Sequence, residues 1–311
     1  MSLWNVREGP EGVEVDARQL EYFLAVVDHG GVNRAATALY LSQPSLSQAI
    51  RVLERDLGQD LFDRVGRRLV LTDAGRALVE PARQVVRGLA AARASVRSVA
   101  GLEAGQVEIA AMPSQAVEPL GGMIRTFTER HPGLTVTIRA AFTATGVIEM
   151  VRGGVTELGL LASSDRPAAA GVDLDLIGTQ RFVLIAPASG PFADGAVVRH
   201  EQLAGRRLIV GQPGTGMRRL VEEIRAGGVE LTEVVESEHR EAILPLVLGG
   251  VGVAVLADSW APLARRAGAL VLDLQPPAYL HLALVSRKPP RTPAATAFLA
   301  AAREFAGINK R

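Results

Sequence analysis

FLAVVDHGGVNRAATALYLSQPSLSQAIRVLERDLGQDLFDRVGRRLVLTDAG, residues 23–75, holds three helical patterns and a short hairpin. Leu20, Phe23, Leu24 and Val27 recur at helical spacing until Gly30 and Gly31, which places a first helix at about 18–28. Asn33 is placed to cap a short second helix through Leu39, and Ser42 to cap a third, with Pro44 tolerated in its first turn. Leu46, Ile50, Leu53 and Leu57 then step by 4, 3 and 4 and form one apolar stripe. Opposite that stripe, Pro44, Gln48, Arg51 and Arg55 lie roughly 140° to 200° from Leu46, while Gln43, Ser45 and Ser47 crowd the first turn. Arg pairs with guanine edges, Gln with adenine, and Ser with a base or a phosphate, so this face suits a DNA major groove. A merely solvated helix would more often alternate Glu with Lys or Arg.

Beyond Gly58 the pattern changes. Leu61 and Phe62 are apolar anchors, Val65 and Gly66 supply a turn, and Leu69 and Leu71 flank Val70 in a short strand. This is a wing hairpin whose tip carries Arg64, Arg67 and Arg68, within reach of backbone phosphates or a minor groove. Thr72 caps the next helix. The charge distribution agrees. The 311-residue chain has a net charge of only +1, but residues 1–16 carry one Arg against four acidic side chains. Residues 17–100 carry twelve Arg against eight acidic residues, and the remainder is balanced. An Arg-only module suits bidentate contacts, although the whole chain uses only two Lys, so Arg is also a compositional habit.

These segments closely resemble the winged helix-turn-helix of LysR-type transcriptional regulators, and the chain matches that family over roughly residues 17–306. The most specific pieces are the alanine-rich second helix with Arg34, the SQPSLSQAI segment and the LF-x-R…R…LT-x-AG wing. The resemblance implies DNA contacts at Asn33, Arg34, Ser42, Gln43, Ser45, Gln48 and Arg51, and at Arg64, Arg67 and Arg68 of the wing. Gln48 stands where many members carry Arg. It further implies a cytoplasmic regulator that binds double-stranded promoter DNA and responds to a small molecule. A homodimer through the linker helix, a homotetramer and a contact with RNA polymerase belong to the same expectation.

From Asp73 to about Ala100, Leu78, Ala82, Val85, Leu89, Ala92, Val96 and Val99 repeat as a heptad seam. About 28 residues at 1.5 Å each span about 42 Å, which suits pairing with a second copy; packing against its own domain is the competing reading. Pro81, Gly88 and the seam alanines make the interface thin. The resulting domains are a tail at 1–16, a DNA-binding domain at 17–72, a linker helix and hinge at 73–104, an effector domain at 105–306 and a tail at 307–311. The fold class is α+β and multi-domain.

Residues 105–306 read as a repeated unit: strand Val107–Ala111, loop Met112–Gln115, helix to about His131 and strand Thr135–Ala140, then strand Leu208–Gly211, loop Gln212–Thr215, helix Met217 to about Ala226 and strand Glu233–Glu236. Two such units predict two α/β lobes with parallel sheets and a ligand in the crevice between them. The family's effector domain, which is periplasmic-binding-protein-like, implies the same. Ser114, Gln115, Thr143, Thr145, Ser163, Thr215 and His239 are the candidate effector contacts, and the hydroxyls among them compete with plain capping roles. Helix N-termini there favour a carboxylate-bearing ligand.

Other chemistries find little support. The chain has no Cys, and its five His lack metal-ligand spacing, so no metal or cofactor is expected. GQPGTGMRR, 211–219, lacks the Lys-Ser/Thr of a phosphate loop, and Gly249, Gly250 and Gly252 precede a strand, the wrong order for a dinucleotide fingerprint. The longest apolar stretch, Ala242–Ala257, is broken by Pro245 and by those glycines and reads as helix, turn and strand, so no membrane span is expected. A solute-binding protein with an N-terminal extension and a Ser/Thr-nucleophile enzyme are the two rival classes. The first is opposed by the absent export signal, the second by the absent triad spacing.

Overall fold

The computed structural model describes residues 15–65, 68–98 and 105–307. The tail through residue 14, the wing turn with Arg67, Val99 with the hinge at 99–104, and residues 308–311 lie outside the described residues. The chain divides into two units, one ending at Arg93 and the other starting at Ala94.

The first unit holds α1 (Ala17–Asp28), α2 (Val32–Ala38), α3 (Gln43–Leu57), the antiparallel pair β1 (Phe62–Val65) and β2 (Arg68–Leu71), and α4 (Asp73–Ser98). Two sequence expectations are corrected at the caps. Asp16, assigned to the tail, caps α1: its carboxylate accepts from Arg18 N at 3.2 Å and Gln19 reaches back to Asp16 N at 2.9 Å, a capping box that makes it part of the head. Asn33 does not cap α2. The helix starts one residue earlier, after Gly31, which has no side chain to offer. Ser42 does cap α3, accepting from Ser45 N at 3.2 Å, and Gly58 ends it in the left-handed conformation.

Leu46, Ile50 and Leu53 of α3 are buried with Leu20, Phe23, Leu24 and Val26 of α1, Ala35 and Ala36 of α2, and Leu61 at the entry to the wing. The linker seam is divided. Ala82 is buried in this same core, and Leu78 packs on it beside the off-seam Ala74, Val79 and Val86. Val85 and Val96 are 51% and 75% exposed. The stretch of α4 from Ala74 to Val86 therefore serves the head itself, because without it the side of the head core facing α4 would be open to water. Of the described seam positions, Val85, Ala92 and Val96 are exposed. The physical DNA-binding unit accordingly runs past residue 72 and takes in the first half of α4.

The second unit is built on a mixed sheet. β3 (Gly105–Ala111) pairs in parallel with β4 (Leu134–Ala140) and β5 (Leu158–Ser163), and β8 (Arg207–Gly211) in parallel with β9 (Thr232–Ser237) and β10 (Val253–Ala257). Each parallel set is completed by antiparallel strands: β6 (Val172–Ala186) pairs with β12 (Tyr279–Arg287) along its first part and with β10 and β11 (Leu270–Gln275) along its last five residues. The expectation of purely parallel lobes is thus corrected, since the strand that carries the chain from one lobe to the other joins both sheets. A short β7 (Val197–Arg199) edges β11.

α6 (Leu120–Arg130), α7 (Ala144–Arg152) and α11 (Pro293–Phe305) cover the first lobe, and α8 (Gly216–Ala226), α9 (Arg240–Leu248) and α10 (Ala261–Arg266) the second. α8 shows why the sequence folds so: Thr215 caps it, Met217, Leu220, Val221 and Ile224 form its buried stripe, and Gly227–Gly228 ends it. Residues 113–115, expected as loop, open a short helix α5 (Pro113–Val117), because Pro113 is preset for a first helical turn. Among the described residues no helix is long and apolar enough to cross a membrane, and no group of three or more metal-ligating side chains gathers.

Candidate nucleic-acid interface and interlobe cleft

On the head, Gln43, Pro44, Ser45, Gln48, Arg51 and Arg55 of α3 are all exposed, the last three opposite its buried stripe. Among the described residues their side-chain hydrogen bonds are local. Ser42 and Ser45 share a hydroxyl–hydroxyl bond of 2.7 Å, Gln43 donates to Ser47 at 2.7 Å, and Arg55 bonds the adjacent Asp56 at 3.1 Å. Such weak internal commitments are easily exchanged for base edges or phosphates. Asn33 and Arg34 are exposed at the start of α2, where the Arg34 guanidinium donates to Gly30 O at 2.8 Å and so points along the gap between α1 and α2. Arg64 is exposed on β1; Arg68 pairs with Val65 at the end of the wing strands. The structure thus leaves Ser42, Gln43 and Ser45 exposed around the first turn of α3 and Gln48 and Arg51 exposed on the side away from its buried stripe.

One tie holds the wing against α3. The Glu54 carboxylate accepts from Leu61 N at 2.9 Å and Phe62 N at 3.3 Å, and the Phe62 ring packs tilted at 51° against Phe23 with centroids 5.5 Å apart. Because Glu54 lies on the same helix as Gln48 and Arg51, α3 and the wing are held in one register.

In the second unit, ten residues from both lobes surround a cavity of about 20 Å³. Met112, Ala162, Phe182, Met217, Ala257 and Leu280 make its apolar walls; Ser114, Gln115 and Arg240 are the polar groups facing it, and Gly216 completes the lining. Ser114 accepts from Trp260 Nε1 at 3.1 Å, and Gln115 donates to Gln180 Oε1 at 2.8 Å, whose own amide donates to Glu118 O at 2.9 Å. Those bonds stitch α5 to the crossing strand and to the short 3-10 turn Asp258–Trp260. Thr215 is buried beside the cavity, where it caps α8 by accepting from Arg218 N at 3.3 Å and donates to Gln212 O at 2.8 Å. Thr143 caps α7 and faces Gly214 of the other lobe closely enough that a Cβ at Gly214 would lie 3.4 Å from Thr143 Cγ2.

The other expected contacts are not gathered there. Thr145 is exposed on α7, Ser163 ends β5 opposite His281, and His239 is exposed with Nδ1 3.2 Å from Glu241. The residue after His239 is the one that matters. Arg240 Nη1 lies 2.7 Å from Met217 Sδ, and among the described residues no carboxylate pairs with it. Burial pulls its guanidinium below the ordinary arginine value. A cation held in a mostly apolar wall without a counter-ion is unfavourable until an anion joins it.

Across the cleft mouth, Arg219 of α8 reaches Asp165, which follows β5, at 2.7 Å. The hydrogen bond from Arg219, and then its charge, hold the Asp165 carboxyl below its usual range. A depressed carboxyl stabilises the folded state above its ordinary value, and the effect fades as pH falls through the lower folded value. Asp165→Asn should therefore lower the melting temperature of the second unit at pH 7 slightly, and the difference should shrink at a pH below the ordinary aspartate value in parallel scanning calorimetry. A constant difference at both pH values would contradict the ion pair.

A family model for the LysR substrate binding domain matches residues 100–307, and a model for the bacterial regulatory helix-turn-helix protein of the LysR family matches residues 17–76. The chain belongs to the LysR family. Among its LysR relatives, the HTH-type transcriptional regulator TfdS of Cupriavidus pinatubonensis is 30% identical over 305 residues, covering 94% of this chain and 99% of that protein. A RuBisCO operon transcriptional regulator of Allochromatium vinosum is 29% identical over 246 residues, 79% of this chain and 80% of that one. Solved LysR structures share the fold. A full-length OxyR variant of Pseudomonas aeruginosa has a TM-score of 0.71 at 23% identity over 93% of this chain and 95% of that one. CbnR complexed with its target DNA has a TM-score of 0.67 at 23% identity over 94% and 100%. This LysR chain is thus a DNA-binding transcriptional regulator with a winged helix-turn-helix and an effector-binding domain.

Two residues of this LysR-type regulator escaped the sequence reading for opposite reasons. Glu54 lies on the helix face between the apolar stripe and the polar side, where nothing in the pattern distinguishes a tie to a distant strand from a solvated acid. Arg240 had a signal: it is the first residue of a helix that follows a strand of the second lobe, a position from which a side chain reaches the crevice.

Proposed function

We propose that this regulator reads double-stranded promoter DNA as a homo-oligomer in the cytoplasm and that its effector is a small carboxylate seated against Arg240. What supports the DNA half is the exposed run Ser42, Gln43, Ser45, Gln48 and Arg51 on α3, with Arg64 on the wing as the phosphate contact. The exposed Val85 and Val96 on α4 supply the start of a pairing surface for a second copy. A head with a regional excess of only four positive charges binds DNA weakly alone, so two heads on two half-sites are required for useful affinity.

The effector half rests on one observation, the unpaired Arg240 at a cleft whose remaining lining is mostly apolar. A ligand pocket of that composition, apolar walls with a few convergent polar groups, is the ordinary form of a small-molecule site. The cavity of about 20 Å³ has room for about one water molecule, whereas pockets for organic ligands run to about 300 Å³ or more. Entry of a carboxylate must therefore part the Ser114–Trp260 and Arg219–Asp165 contacts, and that coupling is the physical route from ligand to lobe movement.

The test of the DNA half uses a duplex selected from random sequence by the full chain. Affinity should fall steeply with salt, protection should cover two half-sites, and Arg64→Ala should reduce the salt slope by about one while weakening all sequences alike. Binding that is absent, or indifferent to salt, would sink this half of the proposal.

A further inference from the structure

Tyr40 occupies the turn between α2 and α3 and is 96% exposed. Its φ of 54° is, among the described residues, the one positive value outside glycine. The geometry has a clear local cause. Leu41 N donates to Ala36 O at 2.9 Å and Tyr40 N to Thr37 O at 3.2 Å, so α2 ends in a Schellman-type turn whose left-handed position is filled by Tyr40. Glycine is the usual occupant of that position and asparagine the next, because a Cβ there crowds the backbone. A tyrosine is an unfavourable choice on conformational grounds, and with its side chain in water it gains nothing from packing to offset that cost.

Among the described residues nothing inside the protein accounts for the ring. Its surroundings do: Ser42, Gln43, Pro44 and Ser45, all exposed, begin two residues later, so the Tyr40 Cα lies within about 7 Å of the start of the reading surface. We propose that Tyr40 is a DNA contact of this regulator, its ring lying on the sugar edge beside the major groove entered by α3 and its hydroxyl donating to a backbone phosphate. Tyrosine is among the side chains that bond phosphates, and a neutral contact of this kind positions the helix without carrying sequence information. The inference rests on the reading of α3 as the groove-entering helix. It adds a residue that neither the polar pattern nor the charge count identifies, because an aromatic in a turn belongs to neither.

The test uses the full chain and the selected duplex described above. Tyr40→Ala should weaken binding about tenfold, Tyr40→Phe by a smaller factor, and both should leave the salt slope unchanged because no charge is lost. Tyr40→Asn is the informative variant: asparagine suits the left-handed position, so the head should melt at the wild-type temperature or higher while DNA affinity falls as for alanine. A lower melting temperature in Tyr40→Asn would mean that the ring serves the fold and would overturn the proposal. So would a loss of affinity that tracks a changed sedimentation coefficient, since the ring would then face another subunit. Gln43→Ala separates the two levels. If Gln43→Ala weakens binding and Tyr40→Ala does not, Tyr40 is off the DNA; if neither does, α3 is not the reading helix.

Discussion

Gly75→Ala should cost the DNA-binding head about 2–4 kcal/mol and, with it, DNA binding at working temperature. A Cβ at residue 75 would stand 2.1 Å from Leu61 O and 2.8 Å from Leu71 Cδ2. The first of these is backbone, so no side-chain rotation relieves it. Leu61 O already accepts from Thr72 N at 3.0 Å, Thr72 Oγ1 donates to Asp60 O at 2.7 Å, and Gly75 N donates to Thr72 Oγ1 at 2.9 Å. Pushing the first turn of α4 away would break this set and lift the helix off the core that Ala82 closes. Gly88→Ala is the matched control on the same helix, since nothing lies within 4 Å of its Cβ; it should be neutral or slightly stabilising. Two-transition calorimetry of both variants, with DNA binding alongside, decides the matter. A Gly75→Ala protein that melts like the wild type would mean the wing–helix joint is looser than its geometry indicates.

Arg240→Met should weaken carboxylate binding about 10- to 100-fold, the loss expected for a hydrogen-bonded charge in a partly dry site. The variant should fold at least as well as the wild type, because an apolar side chain of similar length replaces a cation without a counter-ion next to Met217. DNA affinity without added carboxylate should stay within about twofold, as Arg240 belongs to the other unit. The measurement is calorimetric titration of the full chain with small mono- and dicarboxylates. Arg240→Lys keeps the charge but not the planar fork, and should fall between the two. Unchanged carboxylate affinity in Arg240→Met would place the anion elsewhere.

The head was legible in sequence because its signals are local: the 4, 3, 4 spacing of Leu46, Ile50, Leu53 and Leu57, the Ser42 cap and the glycine stop at Gly58 all act within a few residues, and all but Leu57, half-buried, took the expected place. The seam on α4 was legible as a period but not as a partner. Heptad spacing says that one side of the helix is covered, and Leu78 and Ala82 are covered by their own head. In the effector domain the strands and helices followed their patterns, while the cleft did not. Whether Gln115 faces a ligand or Gln180, 65 residues away, depends on how the crossing strand returns, and no local signal carries that. The hydroxyls at Thr143 and Thr215 are helix caps, and both residues lie beside the cleft, so the capping reading holds there.

The joint inside α4 bears on how such a regulator can be rebuilt. A cut made where the wing ends, at residue 72, would strip the head of Ala82, Leu78 and Val79 and leave an oily trench on its flank. Such a fragment would aggregate whatever its affinity for DNA. Grafting this head onto a different sensor, whether at the bench or by recombination between genes, works only if the splice falls past the middle of the helix, close to Arg93. Most of what looks like a connecting rod is therefore inherited with the head and is not interchangeable.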